Sequence, residues 1–153
     1  MKAERPYPQV RVTRKGERAL AAGHPWVYAA EVTEADESIR EGGLVDIVSG
    51  KGAYLGTGFY NSHSLIRCRL LSRNANDRFD DAFWQRRVQY AWDYRKSVMQ
   101  PEDLHCCRVI FGEADGFPGL TVDRFGPVLS VQVLSLGMAV SYTNLTLPTN
   151  NPV

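Results

Sequence analysis

Cysteine and histidine are scarce in this chain, and their placement excludes several classes of protein. Three cysteines, Cys68, Cys106 and Cys107, are too few and too unevenly placed for a disulfide framework, which points to a reducing, cytoplasmic setting. A zinc site needs about four ligands at compatible spacing. His24, His63 and His105 do not cluster with a second cysteine pair, so His105-Cys106-Cys107 reads as a local coincidence and no metal is expected. No apolar run approaches the roughly 20 residues of a membrane-spanning helix, and the N-terminus lacks the apolar core of a signal peptide. A net charge of +1 excludes a crude polycation. Against these absences, 44% hydrophobic and 23% charged residues over 153 positions suit an ordinary folded core.

Charge is also missing from one place. All 35 charged residues lie in positions 1–138, and the last fifteen, AVSYTNLTLPTNNPV, carry none. An ordinary domain, roughly a quarter charged, would place about four there. The segment reads either as a linker or disordered terminus, or as a piece not native to the protein. The second reading is preferred, because SYTNLTLPTN resembles translated adapter sequence at the ends of truncated reading frames. Asn144-Leu145-Thr146 fits a glycosylation acceptor pattern, which means little in a chain without a secretion signal.

The near-neutral total hides alternating blocks. Residues 1–30 sum to +4, residues 31–65 to −4, residues 66–100 to +4 and residues 101–138 to −3. Fourteen of the 18 basic residues are arginine. A GC-rich genome produces that bias without any functional cause, yet guanidinium is also the better group for gripping phosphate and stacking on bases.

Hydrophobic periodicity predicts an α+β chain. Val10 and Val12 alternate with polar residues as a first strand, and Arg14 to Ala22 is a short helix that Gly23 terminates. His24-Pro25 is extended, and the aromatics of Trp26-Val27-Tyr28 fit a strand entering a core. The acidic run Glu31 to Glu41 reads as a solvated edge and loop. Leu44 to Val48, Ala53 to Tyr60 and Leu65 to Leu71 read as strands, with Gly56 and Gly58 permitting a bulge. In the last of these, Arg67 and Arg69 share one face and Ile66, Cys68 and Leu70 the other. Residues 8–75 are therefore expected to form a small β-barrel or sandwich. Asp80 or Asp81 then caps a helix running to about Met99. Trp84, Val88, Ala91 and Trp92 form one stripe on it and Tyr90, Tyr94 and Val98 another, both read as core. Arg108 to Phe111, Leu120 to Phe125 and Val128 to Leu134 complete a β-meander whose last strand needs a covering layer.

Three stretches carry a family resemblance together: Lys15 to Tyr28 (KGERAL…HPWVY), Gly58 to Leu71 (GFYNSHSLIRCRLL) and Phe111 to Gly126 (FGEADGFPGLTVDRFG). In this order the chain resembles the N-terminal part of class I S-adenosylmethionine-dependent rRNA methyltransferases. More narrowly, it resembles bacterial large-subunit (23S) rRNA cytosine-C5 methyltransferases that begin with a PUA-like domain. The resemblance covers about residues 8–138. It implies an N-terminal PUA-like RNA-binding β-barrel over 8–75, then a small α/β subdomain over 76–138, a long helix plus β-meander carrying EADGFPGLTVDR. Residues 139–153 would be a tail foreign to the family. The Rossmann-like domain that holds S-adenosylmethionine and the catalytic cysteine is expected to be absent. No Gly-rich strand-to-helix turn with a following acid is found, and no Asn- or Asp-Pro-Pro motif. The resemblance thus implies a cytoplasmic RNA-binding fragment that is not catalytic by itself. It has no catalytic or cofactor residues of its own, takes large-subunit rRNA as partner, and is not expected to bind DNA or membrane. A homodimer of the full-length protein is left open. Rival readings are a free-standing PUA-like RNA-binding module without enzymatic activity and a structural β-domain that binds a protein.

Cys106 and Cys107 do not match the family's nucleophile, and Cys68 reads as a small core residue. RNA contact is expected from Arg14, Lys15 and Arg18, then Arg67 and Arg69, with His24 and Trp26 as lesser additions, Trp26 reading first as core. Arg86 and Arg87 read equally as a solvated helix face. Glu113, Asp115, Asp123 and Arg124 form the densest polar cluster. Either they shape the pocket for RNA or its target base, or they build turns by bonding backbone N–H groups and one another. With the barrel near neutrality, RNA affinity is expected to be weak and salt-sensitive.

Overall fold

The computed structural model describes residues 5–142. The chain divides into two compact units between Asn76 and Asp77. The first contains β1 (Gln9–Val12), α1 (Arg14–Ala21), β2 (Trp26–Tyr28), β3 (Val32–Ala35), β4 (Leu44–Val48), β5 (Tyr54–Tyr60) and β6 (Ile66–Ser72). These six strands form one sheet in the order β2-β6-β5-β4-β1-β3, antiparallel throughout except for the β1–β4 pair. The two edge strands, β2 and β3, are joined by a single 3-10 turn, Ala29–Glu31. Three residues cannot cross a flat six-stranded sheet, so the sheet curls until its edges approach. Register shifts in β1, β2, β4 and β5 supply the curvature. Gly58 is required by this curl: a Cβ there would lie 2.3 Å from the Arg69 carbonyl oxygen.

Inside the curl Val10, Val12, Leu20, Val27, Val45, Ile47 and Cys68 are buried together. Thr13 starts α1 by accepting from the Gly16 N–H (3.2 Å), and Gly23 ends it at φ 100°. Two expectations need correction. Glu31 is not on a solvated edge: it is 5% exposed, its carboxylate accepts the Tyr28 N–H at 3.0 Å, and Val32–Ala35 after it is a strand paired with β1. The aromatics of β2 do not enter the core either. Val27 is fully buried, and the two-residue period of a strand puts Trp26 and Tyr28 on the outer side, half-buried and 39% exposed.

The second unit comprises α2 (Asp81–Val98), β7 (Cys106–Phe111), β8 (Leu120–Phe125), β9 (Val128–Val133) and α3 (Leu136–Tyr142). Its three strands form an antiparallel meander on which α2 packs. Asp80 caps α2 by accepting from the Phe83 N–H (2.9 Å). Phe83, Trp84 and Ala91 are buried with Ile110, Phe117, Leu120, Val122 and Met138. The second aromatic stripe is a further correction. Tyr90, Tyr94 and Val98 are 63%, 57% and 56% exposed, because a helix lying on one sheet buries only one side. Of the uncharged tail, Ala139 to Tyr142 belong to α3, and residues 143–153 lie outside the described residues, including the Asn144-Leu145-Thr146 pattern.

Candidate nucleic-acid interface

Helix α1 is amphipathic: Gly16 and Leu20 face the core, while Arg14, Lys15 and Arg18 are exposed. Arg14 and Arg18 are one turn apart, and the Arg18 Nε donates to the Arg14 carbonyl (3.3 Å), which holds the two cations on one side. The helix packs against β2. There the Trp26 N–H donates to His24 Nδ1 (3.2 Å), and the two rings meet edge to face at 5.9 Å. Tyr28 joins them, 5.8 Å from His24 and 6.4 Å from Trp26. Arg69 is the cross-strand partner of Trp26 and sets its guanidinium over the indole at 5.4 Å. The Arg73 guanidinium donates to the His24 carbonyl (3.4 Å). Of the residues singled out in the sequence, the structure thus gathers Arg14, Lys15 and Arg18 on one helix and His24, Trp26 and Arg69 on the neighbouring strands.

Arg67 sits on β6 two residues before Arg69. Its charge acts on Tyr60 and Glu41. The Ser62 hydroxyl and N–H hold the Glu41 carboxyl below the ordinary carboxylate range, and His63 and Arg67 add to the effect. Part of the Arg67 charge is therefore offset locally. Tyr28 and Arg73 were missed in the sequence. The alternation around Val27 was the signal for Tyr28, while Arg73 becomes visible only when β6 is laid beside the segment that enters β2.

A buried polar network braces the same unit. Asp46 is 2% exposed and takes a two-pronged contact from Arg5 (2.6 and 3.1 Å) together with the Thr57 hydroxyl (2.6 Å). Arg5 also donates to Thr57 (2.9 Å) and to the Ala75 carbonyl, and its guanidinium lies 4.8 Å from the Tyr54 ring centroid. The hydrogen bond to Asp46 raises the Arg5 pKa above its ordinary value. The network ties the two ends of the unit to the middle of its sheet.

In the second unit the acidic cluster is engaged by arginines. Asp115 pairs with Arg95 through both oxygens (3.2 and 2.5 Å) and accepts the Phe111 N–H (2.7 Å). Asp123 pairs with its cross-strand neighbour Arg108 (2.8 and 3.1 Å), which draws its carboxyl below the ordinary range. Arg124 instead donates to the Gly126 carbonyl (2.9 Å) and lies over Trp92. Glu113 and Asp115 also line a shallow hollow of about 500 Å³ with Arg86, Arg87 and Tyr90. Among the described residues no three His, Cys, Asp or Glu could hold a metal ion. No helix there is long and apolar enough to cross a membrane.

The residues present do not fit S-adenosylmethionine. A nucleotide-type cradle needs a parallel strand, a glycine-rich turn and a helix N-terminus in succession. Among the described residues the junctions into α1 and α2 carry no glycine, Gly137 in the first turn of α3 follows an antiparallel strand, and Gly16 inside α1 is filled against Val12 and Glu31.

The curled six-stranded sheet with its short helix has a PUA-like fold, here followed in sequence by a helix-and-meander unit. Residues 10–73 match the family model of a PUA-like domain. The chain is a sequence relative of ribosomal RNA large subunit methyltransferase I. It is 36% identical to that protein from Klebsiella pneumoniae over 131 residues, which is 86% of this chain and 33% of the relative. It is 39% identical to that of Escherichia coli over 127 residues, 82% of this chain and 32% of the relative. The chain therefore spans about a third of the length of these curated relatives. A solved structure named "a putative SAM-dependent methyltransferase" from Streptococcus mutans shares the fold, with TM-score 0.76 and 16% identity over 90% of this chain and 35% of that one.

Proposed function

We propose that this chain is the RNA-engaging part of an S-adenosylmethionine-dependent methyltransferase that modifies cytosine C5 in large-subunit (23S) rRNA in the cytoplasm. Methyl transfer and cofactor binding would reside outside these residues. The observation that carries this reading is the exposed Arg14, Lys15 and Arg18 on α1 beside the aromatic rim of β2, within a domain matching the PUA-like model. The three cations neutralise phosphates and fix the strand's register, a sequence-independent role. Glu113, Asp115, Asp123 and Arg124 would shape a pocket for RNA or its target base in the whole enzyme. A second reading is an RNA-binding module without chemistry, which rests on the PUA-like match over residues 10–73 alone.

RNA binding is tested by gel shift on large-subunit rRNA segments across a salt series. Replacing Arg14, Lys15 and Arg18 with alanine should weaken binding to all sequences alike and reduce the log–log salt slope by about 2, at roughly 0.7 per lost phosphate contact. An unchanged slope removes α1 from the interface. The chain should show no calorimetric binding of S-adenosylmethionine, and micromolar binding would place the cofactor within these residues. A full-length relative carrying this first unit and methylating cytosine C5 supports the first reading over the second.

A further inference from the structure

At the rim of β2 three rings meet, with Tyr28 39% exposed and His24 and Trp26 half-buried. His24, Trp26 and Tyr28 gather ring to ring on the outer side of an edge strand, and guanidiniums lie beside them. Leu65 lies beside them, its carbonyl accepting the Ala29 N–H (2.8 Å) and its side chain 81% exposed. Two guanidiniums edge the rings: Arg69 over Trp26 at 5.4 Å, and Arg73 bonded to the His24 carbonyl.

We infer that this rim is a stacking platform for unpaired nucleobases, and that the α1 cations hold the backbone of the same single strand. The inference rests on the RNA-binding reading above and narrows it to a substrate class. Double-helical RNA keeps its bases stacked on one another and offers a protein phosphates and 2′-hydroxyls. Rings edged by guanidinium planes match bases that are splayed out, because every base has a π-face and arginine stacks as well as it pairs. The neighbouring helix supplies the charge such a strand needs, since α1 packs on β2.

The test uses the whole chain and two labelled probes, an unstructured uridine-rich RNA of about ten nucleotides and a blunt RNA duplex of the same length, read by fluorescence anisotropy. Trp26→Ala and Tyr28→Ala should each weaken single-strand binding about 5- to 50-fold, with the salt slope unchanged and duplex binding altered less than about twofold. Trp26→Phe and Tyr28→Phe should recover most of the loss. Tyr28 is exposed enough that its removal leaves the fold intact, as circular dichroism verifies, so its result decides even if Trp26→Ala unfolds. Equal losses on both probes, or no loss in Tyr28→Ala, would overturn the platform while leaving RNA binding in place. Failure of the unaltered chain to bind either probe at low salt overturns both readings.

Discussion

Asp46 lies in the middle of β4 at 2% exposure, where an ionised carboxylate is tolerated only with dedicated partners. Arg5 and Thr57 provide them. Asp46→Ala removes the carboxylate to which Arg5 and the Thr57 hydroxyl both donate, leaving a part-buried guanidinium without its counter-charge, and should lower stability by about 3 kcal/mol in urea unfolding followed by circular dichroism. Asp46→Asn keeps one acceptor and should fall between the variant and the unaltered chain. The cysteines give a second prediction at this scale. Burial pushes the Cys68 thiol up to about 12, so almost no reactive thiolate exists near pH 8. An aromatic disulfide reagent should therefore modify Cys106 first, then Cys107, and Cys68 only in denaturant, as peptide mass mapping will show. The alternation in β6 foretold an inward Cys68. Nothing near Asp46 in the chain foretold its partners, because Arg5 is 41 residues away.

Backbone crowding decides the behaviour of the strands more than propensity does. Gly58 abuts the Arg69 carbonyl, so Gly58→Ala must push two strands apart and should cost about 2 kcal/mol or more. A Cβ at Gly50 would have no atom within 4 Å, and Gly50→Ala should shift stability by less than about 0.5 kcal/mol when both variants are followed by thermal unfolding. Gly50 lies in the turn before β5 and Gly58 inside that strand, and the approach of β6 to β5 is what crowds Gly58. Helix α2 shows a comparable limit. Its two stripes, Trp84-Val88-Ala91-Trp92 and Tyr90-Tyr94-Val98, have the same helical period, yet only the first meets the sheet. Periodicity identifies an apolar face without identifying what covers it. In β2 the two-residue period was legible, but which side faced inward depended on Val27 packing with Cys68 and Val10.

At the scale of the whole molecule, β9 is the exposed feature. It is the edge strand of its sheet and carries neither charge nor proline. Val128, Leu129 and Leu134 are 59%, 47% and 69% exposed in and just after it. Such an edge templates association with other chains. Leu129→Lys should lower light scattering of concentrated solutions while leaving the melting temperature within a few degrees, about the shift of a neutral surface change. RNA binding should be unaffected by the same substitution, since α1 and β2 belong to the other unit.

The sequence by itself determined the class of fold, the order of barrel-like unit and helix-plus-meander unit, the capped ends of α1 and α2, and the cations of α1. Those features are set by local period, capping chemistry and short-range spacing, which a linear chain displays in full. Tertiary structure alone decided that Glu31 is buried, that Asp46 is clasped by Arg5 and Thr57, that Tyr90 and Tyr94 are left outside, and that His24, Trp26, Tyr28, Arg69 and Arg73 meet on one rim. The closing curl of the sheet brings Arg5 and Thr57 to Asp46 and Arg69 and Arg73 to the rim from far along the chain, and the side of α2 that meets the meander is what leaves Tyr90 and Tyr94 outside.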